Sequence, residues 1–160
     1  MVYRFRATIP GNKIFVREYE VKGNSSLYSF HLFLQNDLSF APDQMVMFRG
    51  TNNVGKIKSE YGLFDMGDGT LDSVKVEDVV RKGENSLFYV YDLFKDRSIL
   101  LEFQAEEEES PRRSYPRLVM ERGKNPDQFS DNYDDFDNLA VEMGDNDSMF
   151  SNDELPEGEE

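Results

Sequence analysis

Between Leu87 and Phe103 the chain reads Leu-Phe-Tyr-Val-Tyr-Asp-Leu-Phe-Lys-Asp-Arg-Ser-Ile-Leu-Leu-Glu-Phe, two apolar runs about one short charged break. That pattern predicts a buried β-hairpin with Tyr91-Asp92 near its bend. Apolar residues make up only 38% of the 160 residues while aromatics reach 13%, so the core material has to be concentrated in part of the chain. It is. Residues 1–103 hold 13 Lys/Arg against 14 Asp/Glu, and residues 104–160 hold 5 against 18, so nearly all of the net charge of −14 lies in the last third. A near-neutral body followed by a strongly acidic tail is one domain plus an appendage, with the division placed at 1–124 and 125–160.

The charge and the missing cysteines narrow the function classes. An acidic tail repels a phosphate backbone, which disfavours nucleic-acid binding unless the body carries a local basic face. The chain has no cysteine. Disulfides, thiolate catalysis and Cys-based zinc sites are thereby excluded together. The first residues alternate as a strand, and no stretch reaches the length of a membrane span. A cytoplasmic protein that does not engage membranes is the expectation.

Tyr3, Phe5, Ala7 and Ile9 alternate with Arg4, Arg6 and Thr8, the period of a half-buried strand. Pro10-Gly11-Asn12 turns the chain, and Phe15, Tyr19 and Val21 mark one face of the returning strand. Gly23-Asn24-Ser25-Ser26 stops the sheet and offers a helix N-cap. On the following helix, of about three turns, Leu27, Phe30, His31, Leu34 and Leu38 form one apolar stripe.

Short strands are expected at Gln44–Arg49 and Val54–Tyr61, with a turn at Gly50–Asn53 between them and a loop over Asp65–Gly69. Ser73 is placed as the cap of a single helical turn with Val76, Val79 and Val80 inward, ended by Gly83. Glu106–Ser114 reads as a solvated linker, and Tyr115–Arg122 as a last strand on a sheet edge. The order is ββαββ, a one-turn helix, then ββ and a final β. That is an α+β fold, a mostly antiparallel sheet on one main helix, β-grasp-like by analogy. In the tail, Phe129, Tyr133, Phe136, Ala140 and Met143 follow helical spacing, but Asp, Asn and Ser are poor helix formers and like charges repel. The tail is read as disordered alone, or helical where it docks on the body or a partner.

Complete chemistry is not legible. His31 is the single histidine, and its place in the apolar stripe suits a packed residue better than a base or metal ligand. Asp145-Asn146-Asp147 begins like a calcium loop and fails afterwards, and Asp65–Gly69 has the wrong spacing. Serine-nucleophile, phosphate-loop and HExxH motifs are missing. No catalytic residue, metal or cofactor is therefore assigned. In the tail, Phe136, Leu139, Met143 and Phe150 stand among acids, a mixture common in segments that fold upon a basic, grooved partner.

Several stretches, taken in order, resemble the plasmid pRiA ORF-3-like family, whose members are often labelled resolvase-like passenger proteins of insertion elements. They are Phe15–Val21, Leu27–Gln35 with Phe30-His31, Asp43–Phe48, Val76–Val80, Leu87–Asp92 and Tyr115-Pro116-Arg117, with Gly123–Pro126 beyond. Where many members continue Tyr-Asp-Phe-Gly-Asp and then Trp and His, this chain has Tyr91-Asp92-Leu93-Phe94-Lys95-Asp96-Arg97-Ser98. The resemblance implies the α+β fold. It also marks Tyr91, Asp92, Tyr115 and Arg117 as a candidate cleft, which an enzyme could use.

A non-enzymatic binding module is the expected function, with an unidentified protein partner met by the acidic-hydrophobic tail. The alternative is a DNA-associated accessory protein of a mobile element. That reading requires a basic face built from Arg4, Arg6, Arg17, Lys56, Lys58 and Lys75.

Overall fold

In a computed structural model, which describes residues 1–128, the chain forms one seven-stranded sheet with two helices. The elements run β1 (Val2–Ile9), β2 (Asn12–Lys22), α1 (Leu27–Asp37), β3 (Met47–Thr51), β4 (Ile57–Gly62), α2 (Val76–Arg81), β5 (Ser86–Asp92), β6 (Arg97–Glu107) and β7 (Arg117–Arg122). Across the sheet the order is β4-β3-β5-β6-β1-β2-β7, and every strand pairing is antiparallel. The α+β order read from the sequence is thus present, including the last edge strand.

Alternation decides the faces. Tyr3, Phe5, Ala7 and Ile9 of β1 are buried, as are Leu87, Tyr89 and Tyr91 of β5 and Ile99 and Leu101 of β6. Together with Leu27, Phe30 and Leu34 of α1 and Val76 and Val79 of α2 they make one core. Phe30 is the centre of an aromatic cluster, its ring centroid 5.6 Å from Phe5, 5.9 Å from Phe48 and 6.4 Å from Tyr19. Such tilted, edge and stacked contacts add to the area each ring buries. The intervening residues of β1 and β2 lie on the opposite face and pair across strands, Arg4 with the buried Glu20 at 3.0 Å and Arg6 with Glu18 at 3.6 Å.

Helix α1 begins where the sequence placed it. The Ser26 hydroxyl accepts a hydrogen bond from the Ser29 backbone N–H at 3.0 Å, satisfying one of the donors that a helix start leaves open.

Several boundaries differ from the sequence reading, each for a local reason. The turn before β4 is made by Asn52, whose side chain accepts from the Val54 and Lys56 backbone N–H groups, so Gly50 and Thr51 remain in β3. Ser73 does not cap α2. Lys75 holds the cap position, and the Ser73 hydroxyl is engaged with Thr70 instead. Glu106 and Glu107 belong to β6, paired with Tyr3 and Val2, because β1 offers them a backbone ladder that outweighs their solubility as a loop. Asp96, in the hairpin bend, binds Arg49 at 3.0 Å, and Arg97 is buried.

Candidate docking groove

The cleft residues marked by the resemblance are not brought together. Tyr91 is buried and stacked on Phe40, ring centroids 4.6 Å apart, and Asp92 ends β5, where its carboxylate accepts from the Lys95 backbone N–H. Tyr115 accepts from the Ser110 N–H in the β6–β7 connection, and Arg117 begins β7 with a 2.6 Å bond to Glu20. Strands β6, β1 and β2 lie between the two pairs. Four strand spacings amount to roughly 19 Å. The tail positions Phe136, Leu139, Met143 and Phe150 lie outside the described residues.

Buried polar groups on the body are satisfied in ways that hold elements together. His31 lies in the core beside Tyr89, with Nδ1 2.8 Å from the Tyr89 hydroxyl, and burial pushes the imidazole below its ordinary value. Burial alone would raise the Glu20 carboxyl. Hydrogen bonds from Arg4 and Arg117 outweigh that, so it is held below its usual range.

Glu84, also buried, accepts from Ser59 Oγ and from the Tyr61 hydroxyl, each at 2.7 Å, with Lys82 Nζ at 3.5 Å. Ser59 donates its proton to the carboxylate and not toward Lys82, so the group is a strut between β4 and the end of α2.

Arg17 is buried beneath the end of β7. Its guanidinium donates to the carbonyls of Val16, Arg122 and Gly123 and to Asn125 Oδ1, and it lies 4.5 Å from the Phe15 ring centroid. Asn125 donates to the Asp37 carbonyl and Gln128 accepts from the Ala41 N–H, fastening residues that the sequence reading assigned to the tail.

With Arg17 buried and Arg4 and Arg6 in ion pairs, the basic residues named for a DNA-binding face do not share one open surface. Among the described residues no group of three His, Cys, Asp or Glu side chains is placed to hold a metal. Asp65 instead accepts from the Gly67 and Gly69 N–H groups, which hold its carboxyl below the ordinary value.

The distinctive surface is apolar and lies at one end of the sheet. Met47 opens β3 opposite both Gly62, the last residue of β4, and Val90 near the end of β5. Three chain segments therefore converge there, bringing Met45, Met47, Leu63, Phe64, Met66 and Leu93 around a hollow of about 80 Å³. Leu63 also lines a neighbouring hollow of about 170 Å³ with Tyr28, Leu71 and Asp72. The rim is open to solvent: Phe64 is 73% exposed, and Met45 and Met66 are each 51% exposed. The Met66 methyl packs directly over Gly62, where a Cβ would stand 2.9 Å from Met66 Cε.

Both hollows fall below the roughly 300 Å³ at which small-molecule pockets begin. They suit single anchoring side chains, and methionines line such surfaces because their flexible thioethers adapt to a partner. Sequence reading missed this site because Leu93 and Phe94 were absorbed into the hairpin, Met45 into the strand expected at Gln44–Arg49, and Phe64 fits no period. The available signal was apolar side chains standing in turns, where polar ones belong.

No helix among the described residues is long and apolar enough to cross a membrane. No curated protein matches the chain. Among solved structures, it is similar to the crystal structure of a protein of unknown function, MM3350, from Methanosarcina mazei Go1. The TM-score is 0.64 and the identity 18%, over 75% of this chain and 68% of the other. The likeness is one of fold. The model of the plasmid pRiA4b ORF-3-like proteins matches residues 2–154, nearly the whole chain, and the protein belongs to that family.

Proposed function

We propose that this protein is a non-enzymatic protein-interaction module of the cytoplasm, contacting its partner through the apolar hollow at the Met47 end of the sheet. The acidic tail, with Phe136, Leu139, Met143 and Phe150, serves as a second contact segment. The observation that carries the reading is the exposure of Phe64, Met45 and Met66 around a hollow too small for a metabolite. Scattered exposed apolar residues are ordinary, whereas a group of them around a cavity marks a contact surface. Non-enzymatic action is supported by the way Ser59, Glu84, Glu20 and His31 are each engaged in packing networks. A β-grasp likeness rests on the opening hairpin and helix alone. A DNA-associated role draws less support, since Arg4 and Arg6 already face carboxylates.

A photo-crosslinking amino acid in place of Phe64 tests the proposal in the native host. A discrete adduct with a second protein is expected from position 64 and not from position 13, the second residue of β2. Equal adducts from both positions, or none, would overturn it.

A further inference from the structure

Charge around the hollow says what kind of segment it takes. The three stretches that form it, 43–47, 62–72 and 92–96, carry Asp43, Asp65, Asp68, Asp72, Asp92 and Asp96 against the single cation Lys95. The nearby Arg49 is already shared between Glu60 at 3.1 Å and Asp96 at 3.0 Å. Several of these carboxylates are fixed by backbone donors: Asp65 by Gly67 and Gly69, Asp68 by Glu60, and Asp92 by Lys95. These carboxylates are therefore ordered before any partner arrives, in the same three stretches that supply the apolar lining of Met45, Met47 and Met66.

Resting on the interaction-module reading, we infer that the hollow binds a basic amphipathic segment of a partner protein. Apolar side chains of that segment enter at Leu63 and Phe64, and its Lys or Arg residues meet the aspartate rim. Complementary charge of this kind speeds encounter and rejects wrong partners, while the buried apolar anchor supplies most of the affinity. The same rim selects against the occupants nearest to hand. Residues 129–160 contain seven Asp and five Glu with no Lys or Arg, so the chain's own tail is repelled. A second copy would bring an identical aspartate rim against the first.

Methionine methyl NMR on the full chain tests the inference, because Met45, Met47 and Met66 report on the hollow and Met143 and Met149 on the tail. The probes are two Leu-rich helical peptides of about four turns, identical except that one carries Lys and the other Glu at every polar position. Shifts of the Met45 and Met66 methyls with the Lys peptide alone are expected. Binding should weaken about tenfold in Asp43→Asn/Asp65→Asn/Asp92→Asn, in which the amides at 65 and 92 keep the turn bonds and all three remove the charge.

Equal response to the Glu peptide would overturn the partner chemistry and leave the hollow as a peptide site. Shifts confined to Met143 and Met149 would assign the basic peptide to the tail and overturn the inference. Shifts that grow with protein concentration alone would mean a second copy occupies the hollow, again overturning it. No shift with either peptide would overturn both this inference and the use of the hollow as a contact surface.

Discussion

The Glu84 carboxylate occupies the space above Gly50 that any side chain on β3 would need: a Cβ at position 50 would overlap Glu84 Oε1. Gly50 has an ordinary strand pairing, so its requirement is closeness of approach and not backbone conformation. Gly50→Ala should push Glu84 away from Ser59 and Tyr61, leaving two buried hydroxyls without their acceptor. Overpacking and lost buried hydrogen bonds together predict a loss of about 3 kcal/mol. Urea unfolding measures it. A change under about 0.5 kcal/mol, the scale of a neutral surface substitution, would show that Glu84 is not fixed there.

Arg17 predicts how the end of the described chain is held. Its planar fork serves carbonyls of both Arg122 and Gly123 as well as the Asn125 side chain. A lysine places one point charge where a fork is needed. Arg17→Lys should therefore loosen residues 122–128 and the outer half of β7 while sparing α1. Hydrogen exchange reads this directly, with faster exchange expected at Arg122 and unchanged protection at Phe30. Equal protection at Arg122 in both proteins would mean that β2 pairing alone holds the strand.

Glu20 carries an acid limb of the stability curve. Its folded pKa lies below the ordinary carboxylate value, so its contribution is present above that value and is lost as pH falls through the folded one. Wild type should exceed Glu20→Gln by about 2 kcal/mol at neutral pH, a figure discounted because Arg4 and Arg117 are partly open to water. The difference should persist down to about pH 4.3 and shrink below it. Chemical denaturation at several pH values checks it, and a difference that does not change with pH would contradict the account.

His31 acts at higher pH. Burial lowers its folded pKa, so between that value and about 6.5 the unfolded chain binds a proton that the folded chain does not. Stability should fall as pH drops from 7 toward 5, before most carboxylates titrate. In His31→Gln this slope should disappear, at the cost of a lower plateau from the lost contact with Tyr89. Parallel slopes in the two proteins would place the pH dependence elsewhere.

Local chemistry was legible wherever side chains alternate about a backbone that needs only near neighbours. Tyr3, Phe5, Ala7 and Ile9 announce β1, and Ser26 announces the start of α1. What was not legible depends on residues far along the chain. Glu106 and Glu107 look like loop until β1 is placed beside them, and Gly50 looks like a turn until Glu84 is found above it. Tyr91 and Arg117 were grouped as one candidate cleft, yet strand order separates them, and order is set by pairings that no short window contains. The groove was hidden for the same reason: Met47, Gly62 and Leu93 meet only once the hairpins have docked.

The position of β1 between β2 and β6 has a consequence for synthesis. Val2 pairs with Glu107 and Thr8 with Leu100, so β1, made before the other strands of this sheet, lies in its interior and waits for β6. The opening hairpin leaves the ribosome with one ladder edge unfilled, and nothing made before residue 97 closes it. At about 5–20 residues per second that gap lasts several seconds. Throughout, Tyr3, Phe5 and Tyr19 have only part of their cover, the transient apolar exposure that makes an unfinished sheet prone to aggregation.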